Sequence, residues 1–201
     1  KMGGDCLNTG CVPSKALIRS ARLLAYGRRA EEFGFRKTVT EFEFAEVMER
    51  VQRVVKKVEP HDSVERYTGL GVDCFQGEAR ITSPYTVEVA GRILTTRGII
   101  VATGAVPFVP PIPGLDQVDY LTSDNLWQLR ELPKRLLVLG GGPIGCEMTQ
   151  AFARFGAQMT QVEQAARIMG REDGDIAEFL RERFAAEGVK VLTEHAAKQV
   201  V

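Results

Sequence analysis

Residues 136–145 read Leu-Leu-Val-Leu-Gly-Gly-Gly-Pro-Ile-Gly, and this stretch decides the fold class. Its apolar run predicts a buried strand, and the glycines then lead into a helix that continues to about Arg154. A second strand is predicted over 159–163, a helix over 173–186 and a third strand over 189–192. Strands that alternate with helices favour a parallel sheet with helical crossovers, so we expect an α/β fold.

The glycines follow the spacing G-x-G-x-x-G, with a predicted strand before them and a predicted helix after them. Gly140 would permit the tight turn, Gly142 would let a pyrophosphate approach the backbone, and Gly145 would let the helix pack close to the sheet. Glu163 ends the second strand, where a carboxylate accepts hydrogen bonds from an adenosine ribose and repels a 2′-phosphate. The pattern therefore favours NADH over NADPH. Arg167 nearby leaves NADPH open, and a glycine-rich turn in an unrelated α/β domain is the alternative.

A second feature is the pair Cys6 and Cys11, separated by Leu-Asn-Thr-Gly. Pro13 and the apolar spacing after it predict a helix over 13–29, so the pair lies where unpaired backbone N–H groups favour a thiolate. Lys15, one turn beyond Cys11, adds a positive charge on the same face. These surroundings indicate a working thiol pair. A structural disulfide and two free buried thiols stay open, whereas a zinc half-site lacks a second ligand pair, so no metal site is expected.

The composition narrows the class of protein. Lys plus Arg and Asp plus Glu number 26 each in 201 residues, so no overall field attracts nucleic acid or an anionic membrane. The apolar stretches are too short to span a bilayer, and no secretory signal opens the sequence. Four cysteines in such a chain suggest the cytoplasm, where a disulfide is more often catalytic than structural. Both ends read as cut, so we expect the middle of a longer protein.

The rest of the chain divides at a proline-rich segment. A helical region is predicted over about 41–67, interrupted by Pro60. From Gly71 the period changes to two, which predicts three strands, 72–75, 86–89 and 98–102. Residues 106–114 carry four prolines and predict a stiff boundary linker.

The segment Gly3–Lys15, Gly-Gly-Asp-Cys-Leu-Asn-Thr-Gly-Cys-Val-Pro-Ser-Lys, resembles the active-site signature of the class I pyridine nucleotide–disulfide oxidoreductases. Mercuric reductases and dihydrolipoamide dehydrogenases are the members that it resembles most. Residues 77–79 are similar to a flavin-domain strand of that family, and Ala102-Thr103-Gly104 to its flavin-contacting turn. The resemblance implies a three-layer, Rossmann-like FAD/NAD(P)-binding fold with two dinucleotide-binding domains, incomplete at both ends. Residues 1–112 would be the FAD-binding domain without its first βαβ unit, and 113–201 the start of the NAD-binding domain.

The resemblance also implies bound FAD and a path for electrons from a nicotinamide through the flavin to the disulfide. By that comparison Cys11 is the charge-transfer thiol beside the flavin, and Cys6 is the interchange thiol that meets substrate. Lys15 would reach toward flavin N5, and Glu147 would pair with Lys15 across the domain boundary. The implied FAD-binding residues are Gly3, Gly4, Asp5, Cys6, Lys15, Ala79, Thr103 and Gly104. The implied dinucleotide-binding residues are Gly140, Gly141, Gly142, Pro143, Ile144, Gly145, Glu147, Glu163 and Ala197.

Two positions depart from the family pattern. Asp5 stands where many relatives carry Thr, and its carboxylate is expected to make Cys6 less acidic. Pro143 stands where some relatives carry a Tyr lid over the flavin, so nicotinamide access is expected to be less gated. The family's C-terminal domain, which forms the homodimer and supplies a His–Glu base, is absent from the sequence.

Several functions fit this sequence. The resemblance implies a mercuric ion, lipoamide or a related small disulfide as substrate. A non-catalytic, nucleotide-binding redox sensor is the rival from another class. A thioredoxin-reductase-like enzyme fits poorly, because its cysteines form a C-x-x-C inside the NAD unit, whereas Cys6 and Cys11 precede that unit by more than a hundred residues.

Overall fold

The computed structural model describes residues 1–201. The helices are α1 (Gly4–Asn8), α2 (Cys11–Arg28), α3 (Phe44–Val58), α4 (Val64–Gly69), α5 (Pro143–Phe155) and α6 (Gly174–Ala186). The strands are β1 (Ala79–Ser83), β2 (Thr86–Val89), β3 (Arg92–Thr95), β4 (Arg135–Leu139), β5 (Gln158–Val162) and β6 (Lys190–Leu192). Short 3₁₀ turns lie at Ala30–Phe33, Glu59–Asp62, Leu115–Gln117 and Leu126–Gln128.

A parallel sheet in the order β4-β5-β6 forms the second half of the chain. Leu136 pairs with Met159, and Gln161 pairs with Val191. α5 connects β4 to β5, and α6 connects β5 to β6, as crossover connections require. The predicted strands and helices are therefore confirmed here, with bounds shifted by one or two residues, and so is the α/β fold class.

A separate antiparallel sheet in the order β1-β2-β3 lies in the first half. The prediction of β2 is confirmed, but β1 and β3 were not predicted. The strands predicted over 72–75 and 98–102 are wrong, because neither segment joins a ladder. Ile100 is 92% exposed and has no neighbouring strand beside it. An apolar run becomes a strand only where another backbone takes up its hydrogen bonds.

The helices of the first half also differ in detail from the prediction. α2 begins at Cys11 rather than at residue 13, and a short unpredicted helix, α1, carries Cys6. The predicted helical region over 41–67 divides into α3 and α4, with Pro60 in the 3₁₀ turn between them. The interruption at Pro60 is therefore confirmed.

One hydrophobic cluster spans both halves of the chain. Leu17 of α2 and Met48 of α3 join Phe152 of α5 and Phe184 of α6, and all four side chains are fully buried. α2 packs directly against α5, so the beginnings of these two helices are held near each other. No helix has both the length and the apolar character that a bilayer crossing needs.

Candidate functional site

The two cysteines lie at the start of adjoining helices. Cys6 lies in α1 and Cys11 is the first residue of α2, and both are exposed free thiols. The turn between them is tight, because a Cβ on Gly10 would lie 3.0 Å from the main-chain oxygen of Asp5. This turn joins the short helix that carries Cys6 to Cys11, the first residue of α2. The predicted placement at a helix N-terminus is confirmed.

The pKa of the Cys6 thiol is raised above its ordinary value. The hydrogen bond to the Cys11 side chain is the largest cause, followed by desolvation. The carboxylate that contributes is Asp62, not Asp5. The pKa of Cys6 is therefore raised as expected, although the carboxylate among its causes differs from the expected one.

Asp5 connects the cysteine segment to residues 103–105. Its Oδ2 accepts a hydrogen bond from the backbone N–H of Ala105, 3.1 Å away. Gly104 has a φ of +72°, and a Cβ there would lie 3.0 Å from Asp5 Oδ1. Glycine is therefore favoured at this turn by its backbone conformation, and a Cβ there would also press against the Asp5 carboxylate. The structure thus brings Thr103 and Gly104 to the same place as Gly3, Gly4 and Asp5.

Lys15 and Glu147 form an ion pair between α2 and α5. Lys15 Nζ lies 2.6 Å from Glu147 Oε1. The two side chains are 61% and 37% exposed, so water screens their attraction. The predicted contact between these residues is present, at the junction of the two predicted domains.

The glycine loop has the geometry that its spacing predicts. Gly140 has a φ of +107°, and a Cβ on Gly145 would overlap the carbonyl oxygen of Gly140. Nothing lies within 4 Å of the position that a Cβ on Gly142 would take. Pro143 begins α5 and offers no N–H, whereas Ile144 beside it is 70% exposed. The loop is therefore tight where helix meets strand and open where a pyrophosphate would approach.

Glu163 is bonded to the main chain around this loop. Its Oε2 accepts from the N–H of Gly141 at 2.6 Å, and its Oε1 accepts from the N–H of Ala165 at 2.7 Å. The guanidinium of Arg167 donates to the carbonyls of Gly170 and Glu172. Glu163 thus lies at the carboxyl edge of the sheet as predicted, and it also orders the glycine loop.

Two further predicted residues lie on other segments of the chain. Ala79 begins β1 of the antiparallel sheet and pairs with Val89. Ala197 lies in the exposed irregular segment after β6. That segment is bonded to the predicted dinucleotide site, because the N–H of His195 donates to the carbonyl of Glu163.

Two residues in contact with the site were missed by the sequence analysis. Gln161, fully buried in β5, donates from Nε2 to the carbonyl of Gly140 at 2.9 Å. Trp127 donates from its indole Nε1 to the carbonyl of Thr9 at 3.0 Å, between the two cysteines. A polar residue inside a buried strand was a readable signal for Gln161. Trp127 is the single tryptophan of the sequence, but nothing local connects it with residue 9.

The chain is similar in sequence to known proteins along almost its whole length. A family model described as pyridine nucleotide-disulphide oxidoreductase matches residues 1–201. A mercuric reductase of Bacillus cereus is 32% identical over 192 residues, which are 96% of this chain and 30% of that protein. A dihydrolipoyl dehydrogenase of Bacillus subtilis (strain 168) is 34% identical over 207 residues, covering 96% of this chain and 43% of that protein.

Solved structures show the same likeness. The HOCl-induced flavoprotein disulfide reductase RclA from Escherichia coli is similar with a TM-score of 0.79 and 29% identity, over 98% of this chain and 42% of that one. LpdA from Mycobacterium tuberculosis is similar with a TM-score of 0.81 and 28% identity, over 99% of this chain and 45% of that one. The chain thus spans less than half the length of each of these relatives.

Proposed function

Because the chain belongs to the pyridine nucleotide-disulphide oxidoreductase family, we propose that it carries the redox centre of an NAD(P)H-dependent flavin disulfide oxidoreductase. Cys6 and Cys11 are the proposed redox pair. Bound FAD would relay the electron pair of a nicotinamide hydride to the Cys6–Cys11 disulfide, whose S–S bond would open with two electrons and two protons to give two thiols. The dithiol then reduces the substrate. The observation that carries the proposal is the placement of two exposed thiols on either side of the tight turn that joins α1 to α2.

Residues 1–112 are proposed to bind FAD and residues 113–201 to begin the domain that binds the dinucleotide. Two features of the chain fit these groups. The turn at Gly104 is joined through Asp5 to the cysteine segment, which suits a group held against both. The loop at Gly142 is free of neighbouring atoms and lies at the N-terminus of α5, which suits a pyrophosphate.

The proposed binding residues are those that the sequence singled out. For FAD they are Gly3, Gly4, Asp5, Cys6, Lys15, Ala79, Thr103 and Gly104. For the dinucleotide they are Gly140, Gly141, Gly142, Pro143, Ile144, Gly145, Glu147, Glu163 and Ala197.

When bound, FAD supplies the step that converts a hydride from the nicotinamide into the electron pair that opens the disulfide. The chain's own residues prepare the thiols for it. Cys11 lies at the first position of α2, where main-chain N–H groups have no partner within the helix. Cys6 keeps its proton more readily because its pKa is raised by the Cys11 thiol, and it is exposed to an incoming substrate. The Lys15–Glu147 pair holds the lysine ammonium one helical turn from Cys11.

NADH is the proposed electron donor. The Glu163 carboxylate lies at the end of β5, where a 2′-phosphate would meet its negative charge. The guanidinium of Arg167 donates to the carbonyls of Gly170 and Glu172 and forms no ion pair with Glu163. We propose a mercuric ion, lipoamide or a related disulfide as substrate, and a cytoplasmic homodimer as the working protein.

An anaerobic spectrum tests this proposal. NADH added to the flavin-loaded, full-length protein is expected to produce a long-wavelength thiolate–flavin absorption band. Cys11→Ser should abolish the band. The matched variant Cys6→Ser cannot close the disulfide and keeps Cys11 as a free thiol, so it should show the band before any NADH is added. A band that survives in Cys11→Ser contradicts the assigned roles.

The second candidate is a nucleotide-binding redox sensor that moves no substrate. The exposure of both thiols is compatible with it, since a sensor cysteine must also be accessible. Steady NADH consumption with Hg(II), lipoamide or an artificial acceptor would exclude the sensor. A single stoichiometric oxidation of NADH would favour it.

A further inference from the structure

We propose that Trp127 is a positioning residue for the redox pair. Its indole N–H holds the carbonyl of Thr9, in the segment that joins Cys6 to Cys11, and thereby favours closure of the disulfide. This inference rests on the proposed function in one respect, namely that Cys6 and Cys11 form a disulfide.

The contact joins distant parts of the chain. Trp127 Nε1 lies 3.0 Å from the oxygen of Thr9, although 118 positions separate the residues. Thr9 caps the C-terminus of α1, where main-chain carbonyls have no partner within the helix. The other hydrogen bonds of residues 7–10 reach no further than residues 2 to 14, so Trp127 supplies the only long-range one.

Trp127 is itself firmly held. Its side chain is 6% exposed and belongs to the hydrophobic cluster formed with α2 and α3. Its main-chain carbonyl accepts from Gln52 Nε2 at 3.4 Å and from Arg130 Nη1 at 3.2 Å. The indole is therefore a fixed donor, and the Thr9 carbonyl is the group whose position it sets.

A fixed Thr9 restricts the segment that must bend to bring the two sulfurs together. Closing a ring costs less when the intervening chain already has the required shape, which is the argument of preorganisation. Without the indole N–H the segment samples more conformations, so the effective concentration of one thiol at the other falls. Loss of one such hydrogen bond is expected to lower the equilibrium constant for disulfide formation about threefold to tenfold. For a two-electron couple this corresponds to a potential about 15–30 mV higher.

The test compares Trp127→Phe with the wild-type, flavin-loaded, full-length protein. Phenylalanine keeps an aromatic ring in the cluster and removes the N–H. The protein is equilibrated in mixtures of reduced and oxidised dithiothreitol, which donate or accept the two electrons and two protons, and is then alkylated. Mass spectrometry gives the fraction of dithiol. The expected result is the threefold to tenfold shift toward the dithiol.

Arg130→Gln is the matched control. It removes a donor to the carbonyl of Trp127 and leaves the indole and Thr9 intact, so its equilibrium should stay within twofold of wild type. Should Trp127→Phe fail to fold, as judged by flavin content and thermal melting, Trp127→Leu, which also lacks a donor, is measured against the same criteria. An unchanged equilibrium, a shift toward the disulfide, or an equal shift in Arg130→Gln overturns the inference. A wild-type protein that forms no Cys6–Cys11 disulfide in these mixtures overturns the proposed function, and this inference with it.

Discussion

Gly145→Ala is expected to loosen the junction between α5 and the glycine loop. A Cβ at residue 145 would overlap the carbonyl oxygen of Gly140 and lie 3.2 Å from Nε2 of Gln161. That amide is already bonded to the same carbonyl at 2.9 Å, so the carbonyl cannot move without breaking a buried hydrogen bond. The obstacle is main chain rather than a flexible side chain, and α5 must shift away from the end of β4.

The size of the effect follows from three contributions. Overpacking of this kind costs about 1–3 kcal/mol. The weakened bond from Gln161 adds about 0.5–1.5 kcal/mol. Alanine in place of glycine inside a helix returns up to about 1 kcal/mol. The free energy of unfolding should therefore fall by about 2 kcal/mol, which lowers Tm by roughly 4–8 °C for a domain of this size.

Gly142→Ala is the matched control, because nothing lies within 4 Å of its added Cβ and its φ of −75° suits alanine. Its melting temperature without nucleotide should match wild type within about 2 °C. Its affinity for NADH should nevertheless fall about tenfold or more, since the methyl group stands where the pyrophosphate would approach. Calorimetry and NADH titration of both variants measure the two effects. A normal Tm for Gly145→Ala refutes the packing argument, and normal NADH binding by Gly142→Ala refutes the assignment of the loop.

Three further predictions address other parts of the chain. Because the pKa of the Cys6 thiol is raised, the rate of its alkylation by iodoacetamide should rise at a higher pH than that of an ordinary thiol. Cys11→Ala removes the largest cause of the raised pKa, so this rise should move back to lower pH. Arg154 Nη2 lies 2.6 Å from Glu187 Oε1, and the arginine side chain is only 17% exposed. Glu187→Gln leaves this guanidinium without a countercharge, so the free energy of unfolding measured in urea should fall by about 1–3 kcal/mol. Asp5→Thr should weaken FAD binding several-fold in a fluorescence titration, whereas Asp5→Asn, which keeps an acceptor oxygen at the same place, should bind FAD nearly as wild type does.

Elements whose sequence signals lie within a short stretch of the chain could be predicted. β4, the glycine loop, α5 and β5 form a unit whose apolar periodicity and turn residues lie within 30 positions, and all were predicted. Strands 72–75 and 98–102 were wrong because alternation does not reveal whether a partner backbone lies alongside. The missed pair β2–β3 did leave a signal. Ala90 and Gly91 both have positive φ in a two-residue turn, and glycine at such a position is typical of a tight hairpin.

Fewer contacts of the candidate site could be predicted from the sequence. The helix N-terminus at Cys11 followed from Pro13 and the apolar spacing of α2, which are local signals. The contact of Lys15 with Glu147 followed only from the family resemblance, since no periodicity connects residues 132 positions apart. Trp127 could not be linked to the cysteines at all, because its hydrogen bond depends on how the 3₁₀ turn at 126–128 packs against the helices.

Three hydrogen bonds join the cysteine segment to residues that are distant in the sequence. We expect these bonds to affect the redox chemistry of the segment more than the stability of the fold. Residue 5 is bonded to 105, residue 9 to 127 and residue 15 to 147. Each bond contributes about 1 kcal/mol net, and the carboxylate and ammonium partners are exposed and screened. The apolar side chains that hold α2, α3 and α5 together include Trp127 itself, so a contact and the cluster can share a residue. Substitutions that remove only the polar group of a contact, such as Trp127→Phe, should therefore change flavin affinity or disulfide potential while Tm changes by a few degrees. Substitutions that truncate the apolar side chains of the cluster should lower Tm more strongly.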